Sequence, residues 1–385
     1  MSSYTLLVSG YRTDFSLVAF DPSTRDIKVL SDSPAPENAS WVEPAAKKST
    51  DGSRIVYSLS EAEKGKAFSL VVKGDKVTVT SERDTLGGSC HVHIMKDGSG
   101  IVVANYLGGS LIYFPVEQDG TLSATSASPL LKFDLVYTEQ GQTPPNPERQ
   151  DASHCHQVIE GDDGILYVPD LGNDRVWVVW RGGESGLSVK GWCQAPAGTG
   201  PRHATISKDG KFSPVLQFSS KHLYVLTELA NTLLTFPLTD PTYPIIPHPD
   251  SGISIAPPSV PERYIKYLNA AELLAHPSLP VLYASNRLEL DIGKASSGKF
   301  ESREKGDAVA IATLSSDGTL EAVQHVRTGV DNIRAMQLSP DGKFVALAGQ
   351  SGGGVEVYNV GQDGKTWELV ANNEAITKVT DLAWL

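Results

Sequence analysis

The chain has 385 residues, a formal net charge of −12 and a pI near 5.2, a field that disfavours nucleic acid and anionic membrane surfaces as partners. A hydrophobic content of 40% is enough for a sizeable buried core, while 35 glycines and 24 prolines point to many turns rather than long helices. Three cysteines, Cys90, Cys155 and Cys193, lack C-x-x-C spacing, which argues against a disulfide framework or a zinc finger and suits a reducing compartment. No run approaches the roughly 18 apolar residues of a membrane span. The opening "MSSYTLLVSGYRTDF" has no basic leader, so a cytoplasmic protein is expected.

In chain order, "YTLLVSGYRTDFSLVAFDP" reads as the middle and outer strands of a unit that lacks its inner strand. A second unit starts at "WVEPAAKKSTDGSRIVYSLS" (41–60). Three clearer copies follow, "CHVHIMKDG" (90–98), "HQVIEGDDG" (156–164) and "RHATISKDG" (202–210). A weaker one begins at "AAELLAHPSLPVLYASNR" (270–287), and the last is "RAMQLSPDG" (334–342). The clear copies run into Asp-Gly, read here as a tight hairpin in which both central residues take φ > 0. A strand, a break near Gly or Asn and a further strand follow each, as in "ILYVPDLGNDRVWVVW" and "FVALAGQSGGGVEVYNV". Another Asp-Gly turn recurs in "PVEQDGTL", "ATLSSDGTL" and "NVGQDGKTW". Four antiparallel strands repeated at this spacing predict propeller blades. The C-terminal "VTDLAWL" supplies the missing inner strand, closing the ring and removing open sheet edges. The expectation is an all-β, seven-bladed β-propeller forming a single domain over residues 1–385.

Counting back seven from each turn aspartate reaches Cys90, His156, Arg202 and Arg334, at the start of the innermost strand. Counting forward four from Tyr224 and Tyr283 of the "LY" pairs reaches Glu228 and Arg287. The two strands are antiparallel, so His156, Arg202, Glu228 and Arg287 are expected to converge on one mouth of a central channel. A single arginine or histidine at a strand start is ordinarily a solvated or packed group. Four such residues at two equivalent repeat positions point to a site. His91, His93, His154 and His203 read as packing or supporting groups. A zinc site from His91 and His93 lacks a third ligand with characteristic spacing, and no G-x-S-x-G elbow supports a serine nucleophile. Calcium ligation has only Asp170, Asn105 and Asn286 as hints. No metal and no cofactor are expected.

The runs "SHCHQV…LYVPDLGNDRVWVVW", "GPRHATISKDG…LYVLTELANTL", "AAELLAHP…LYASNR" and "IRAMQLSPDGKFVALAGQSGGGVEVYNV" resemble the cycloisomerase-2 or lactonase family of seven-bladed propellers. That family includes propeller-type 6-phosphogluconolactonases and fungal 3-carboxy-cis,cis-muconate lactonizing enzymes. "GPRH", "TELAN", "SNR" and "AGQ" look closer to the phosphogluconolactonase branch. By motif, the His, two Arg and Glu implicated in the muconate branch fall on His156, Arg202, Arg287 and Glu228. One departure is the insertion near "SPVLQFSSK" (213–221), either a genuine loop or an artefact of gene annotation.

The resemblance implies a lactonase acting on a sugar lactone, with muconate cycloisomerisation or a non-catalytic binding propeller as alternatives. Arg202 and Arg287 would stabilise the oxyanion, with His156 or Glu228 as general base. Arg334 and His203 are expected to bind substrate, Arg334 by paired contacts to phosphate. The partner is a small anionic substrate, and no obligate protein partner is implied.

Overall fold

A computed structural model describes residues 3–182, 186–207, 221–239, 242–296 and 305–385. All but one residue of the inserted 213–221 segment lie outside the described residues. Seven four-stranded antiparallel sheets follow one another along the chain. In six of them the strands are consecutive in sequence. The remaining sheet has the order Val379–Trp384, Tyr4–Gly10, Asp14–Asp21, Asp26–Pro34, so the two chain ends pair within it, with Leu7 opposite Ala383. The C-terminal strand thus fills the inner position expected of it. Among the described residues three short helices, Val136–Glu139, Glu262–Ile265 and Glu289–Ala295, lie in connections.

The chain divides into two compact units, residues 1–191 with 379–385, and residues 192–378. In the first, Leu7, Leu17, Val56, Phe68 and Leu70 form one apolar layer between sheets, and Tyr57, Leu59, Val92, Val103 and Phe114 form the next. In the second unit, Tyr224, Leu226, Leu282 and Ala310 form one layer, and Tyr283, Val309, Met336 and Leu347 another. Central strands such as Gly100–Asn105 and His222–Thr227 are buried along their whole length. Covered on both faces, they read as continuous apolar runs instead of alternating ones.

Among the described residues the Asp-Gly turns form where the sequence places them, but with a different geometry from the one expected; the turn expected at 209–210 lies outside the described residues. In the described turns only the glycine takes positive φ, from 70° at Gly342 to 88° at Gly318, and no turn aspartate does. The glycine N–H closes a turn onto the residue three before it, as in Gly98 to Met95 at 2.8 Å. The aspartate instead accepts the backbone N–H two residues on, at 2.9 Å from Ser99 to Asp97 and 3.0 Å from Thr319 to Asp317. Such side-chain-to-backbone bonding fixes the turn without forcing an aspartate into the left-handed region.

The tyrosines of the "LY" pairs tie neighbouring sheets together. Tyr224 Oη donates to the carbonyl of Gly318 at 2.7 Å, and Tyr283 Oη to that of Gly364 at 2.7 Å. Tyr57 Oη does the same to Gly120 at 3.1 Å within the first unit. Each acceptor is the glycine of an Asp-Gly turn in the next sheet, so turn chemistry and sheet docking are coupled.

Candidate active site

The short strand Pro201–Ile206 pairs with His222–Thr227, Pro201 facing Thr227 and His203 facing Leu226. Arg202 is the extra residue of a β-bulge. A bulge breaks the strict alternation of side chains and re-aims the one at the bulge. Cys90 and Arg334 fall at the same irregularity, between Ser89 and His91 and between Ile333 and Ala335. At Cys90, Arg202 and Arg334 the repeat position found by counting is therefore a bulge position. Glu228 follows directly on the paired strand and is fixed by its backbone N–H donating to Gly200 O at 2.7 Å. Arg287 lies two residues past the strand Val281–Ser285.

These elements bring five side chains of the second unit together. Glu228 is shared between two arginines, with Arg202 Nε 3.0 Å from its Oε2 and Arg287 Nη2 3.2 Å from its Oε1. Arg287 is anchored further by donating from Nε to Asn269 O at 3.2 Å and from Nη2 to Ala270 O at 3.1 Å. Arg202 Nη1 donates to Ala271 O and lies 3.5 Å from Glu272 Oε1. The other oxygen of Glu272 is 3.2 Å from His203 Nδ1. The Arg202 side chain is 2% exposed and that of Arg287 12%, so Arg287 is the more open guanidinium.

Burial pushes the His203 imidazole below its ordinary value, outweighing the attraction of Glu272, so the ring is neutral near pH 7. Glu272 is deeply buried, which alone would raise its pKa. His203 and Arg202 together hold it below the usual carboxylate range. With His203 neutral, two arginines face two glutamates. That balance is what allows so much charge to be dehydrated, because buried ions persist only when paired.

Arg334 lies in the strand Asp331–Leu338, half-buried, with Nη1 donating to Gln350 Oε1 at 3.3 Å. His203, expected to bind substrate, is buried against Glu272. His156 belongs to the first unit. It precedes its sheet's first strand, which is only Ile159–Glu160, and its N–H donates to Pro169 O at 2.9 Å. Its ring meets Tyr106 edge-on at 5.5 Å, and the His154 ring stacks on the same Tyr106 at 4.4 Å. Cys90 Sγ donates to the carbonyl of His156 at 3.2 Å, so the thiol at the equivalent repeat position supports the histidine's backbone.

The residues raised as metal ligands have protein partners. Asp170 accepts from Ser153 Oγ at 2.7 Å, from Asn173 Nδ2 at 2.7 Å and from the Trp177 indole at 2.8 Å. Asn286 Nδ2 donates to Ile255 O at 2.6 Å, and Asn105 Oδ1 accepts from Ser89 Oγ at 2.9 Å. His93 Nε2 lies 3.1 Å from Glu160, and the His91 ring packs on Trp41.

Glu272 was not found by counting along the sequence. Its sheet has His276-Pro277-Ser278-Leu279 where the clear repeats have Asp-Gly, so the anchor for counting is absent. The available signal was a lone glutamate within the otherwise apolar stretch "AAELLA" (270–275).

A buried arginine–glutamate cluster carried at a bulge of one of seven repeated four-stranded sheets places the chain in the class of β-propeller proteins. The family described as "Lactonase, 7-bladed beta-propeller" matches residues 5–384, and the chain belongs to it. The fold is thus the all-β, seven-bladed propeller expected from the repeats. A protein of Arthroderma benhamiae named "Probable 6-phosphogluconolactonase" is 27% identical over 382 residues, covering 95% of this chain and 85% of that one. A "6-phosphogluconolactonase" of Formosa agariphila is 22% identical over 360 residues, covering 90% and 88%. The solved periplasmic gluconolactonase of Pseudomonas aeruginosa superposes with a TM-score of 0.77 at 22% identity, covering 100% and 99%, a likeness of fold. Among the described residues no helix is long and apolar enough to cross a membrane.

Proposed function

We propose that the protein hydrolyses a sugar lactone, with 6-phosphogluconolactone as the first substrate to test. The observation that carries this reading is the pair Arg202 and Arg287, cross-linked by one buried carboxylate within a lactonase-family chain. In lactone opening, the oxygen of water adds to the carbonyl carbon and the carbonyl oxygen becomes an oxyanion. Collapse then breaks the ring C–O bond, and the ring oxygen leaves as an alkoxide that becomes a hydroxyl by taking up the proton the base has removed from the water. Guanidinium groups already fixed in place stabilise the oxyanion without reorganising at the moment of reaction. Arg287, the more open of the two, is proposed to meet the substrate first, with Arg202 behind it.

Glu228, held between two arginines, suits orienting them better than donating a proton. A base is still required; the sequence reading offered His156 or Glu228, and with Glu228 engaged by the arginines the role is proposed for His156. Arg334 is proposed to contact the substrate phosphate, its guanidinium oriented by Gln350. The three cysteines are buried and none is in a disulfide, which supports the reducing, cytoplasmic setting proposed here. The experiment is turnover of 6-phosphogluconolactone, corrected for spontaneous hydrolysis, by wild type, Arg287→Ala and His156→Ala. Loss of one oxyanion donor is expected to lower kcat by roughly 10²–10³. Full turnover by His156→Ala removes that residue from the base role, and full turnover by Arg287→Ala sinks the oxyanion assignment.

A further inference from the structure

The contacts of Arg202 divide between two carboxylates. Glu228 takes Nε at 3.0 Å and also serves Arg287. Glu272 takes Nη1 at 3.5 Å, helped by the Ala271 carbonyl, and its second oxygen faces the neighbouring residue in sequence, His203. Residues adjacent in a regular strand point to opposite faces. Only the bulge at Arg202 lets one carboxylate reach both. Glu272 is itself fixed: its backbone N–H donates to Ser285 Oγ at 2.9 Å, and its carbonyl accepts from the Ser285 N–H at 3.0 Å.

We propose that Glu272 is the positioning residue of the site, a clamp that sets the plane of the Arg202 guanidinium through Nη1 and holds His203 with its proton on Nδ1. This rests on the lactone-opening reading for its kinetic consequence, though not for its structural one. A guanidinium is planar, so charge contacts at Nε and Nη1 together restrict its rotation about the long axis and with it the direction of Nη2. Glu228 provides the point at Nε, and the point at Nη1 is shared between Glu272 and the Ala271 carbonyl. A neutral imidazole beside a carboxylate places its N–H on the nitrogen facing the oxygen, here Nδ1, and the lone pair on Nε2. The clamp therefore acts on two groups through two oxygens, and its kinetic effect passes through Arg202, which shares Glu228 with Arg287.

The test uses Glu272→Gln, which keeps volume and removes charge, and Glu272→Asp, which keeps charge and withdraws the carboxylate by one methylene. Turnover of 6-phosphogluconolactone gives kcat and KM, nitrogen NMR of labelled histidine gives the His203 tautomer, identified by its loss in His203→Gln, and thermal unfolding reports that each variant is folded. Expected for Glu272→Gln is a kcat lower by about ten- to a hundredfold with KM within about threefold, the signature of a group acting in the transition state. Glu272→Asp is expected to fall between it and wild type. In wild type the His203 proton lies on Nδ1, and in Glu272→Gln its signal shifts toward a mixture of tautomers. A folded Glu272→Gln with wild-type kcat overturns the proposal, and so does an unchanged His203 spectrum. A wild-type protein inert toward the lactone refutes the substrate reading, and the His203 spectrum of the two variants then decides on the clamp alone.

Discussion

Replacing Glu228 by glutamine is the sharpest perturbation of the cluster. The wild-type carboxylate spends one oxygen on each arginine, at 3.0 Å to Arg202 and 3.2 Å to Arg287. Glutamine offers one acceptor and one donor, so an amide N–H₂ must face a guanidinium whichever way the side chain is turned. Two buried positive charges are then balanced by Glu272 alone, which touches only Arg202 among them. Removing one partner of a buried pair costs about 3–5 kcal/mol because the remaining charge is left uncompensated. Arg287 is 12% exposed and has two backbone carbonyls, so water and the chain offset part of its share. The expected loss for Glu228→Gln therefore lies near the lower bound, about 3 kcal/mol. Denaturant unfolding followed by tryptophan fluorescence measures it, in a cycle with Arg202→Met and Arg287→Met. The coupling of Glu228 to Arg202 should exceed its coupling to Arg287, with about 2 kcal/mol for the former. A Glu228→Gln protein within about 0.5 kcal/mol of wild type, the range of an ordinary surface substitution, would falsify the view that this carboxylate holds the two arginines.

Arg334→Ala is expected to raise KM for 6-phosphogluconolactone while leaving KM for the unphosphorylated lactone unchanged; equal effects on both remove Arg334 from phosphate recognition. Tyr283→Phe deletes the hydroxyl that reaches Gly364 at 2.7 Å and should cost about 1 kcal/mol in denaturant unfolding; no loss means that the tie between the sheets contributes nothing. Asp307 is pushed up to about 6 by burial, against the backbone N–H donors of Glu289 and Asn332. A folded-state value above the ordinary 3.8 means that the folded protein holds this proton more tightly than the unfolded chain. Stability from this group is full below about pH 4 and is lost as pH rises through about 6. Melting temperatures of wild type and Asp307→Asn between those limits test it, since the asparagine variant should lack this fall, and parallel profiles refute it.

Much of the architecture was legible because a turn is a local matter. Asp-Gly and the short polar runs around it fix hairpins through bonds within five residues, so their recurrence marks the strands between them. The matching of "VTDLAWL" to the N-terminal strands was readable in the same way, as a missing piece with one place to go. Even the two repeat positions behind Arg202, Arg334, Glu228 and Arg287 could be counted. Where the Asp-Gly anchor is replaced by His-Pro-Ser-Leu, counting stopped, and Glu272 went unnoticed.

What counting could not supply was the aim of those side chains. A bulge arises from how two strands register against each other, and no residue type at Cys90, Arg202 or Arg334 announces it. Nor does the sequence state that Glu228 serves two arginines, or that His203 turns toward a carboxylate carried by another sheet. Those partnerships join residues far apart in the chain and depend on dehydration, which exists only once the sheets have packed. The sequence by itself determined the repeat, the turns and the identity of the charged groups. Tertiary structure decided which charge neutralises which, because a buried ion is held by the partners that packing brings to it.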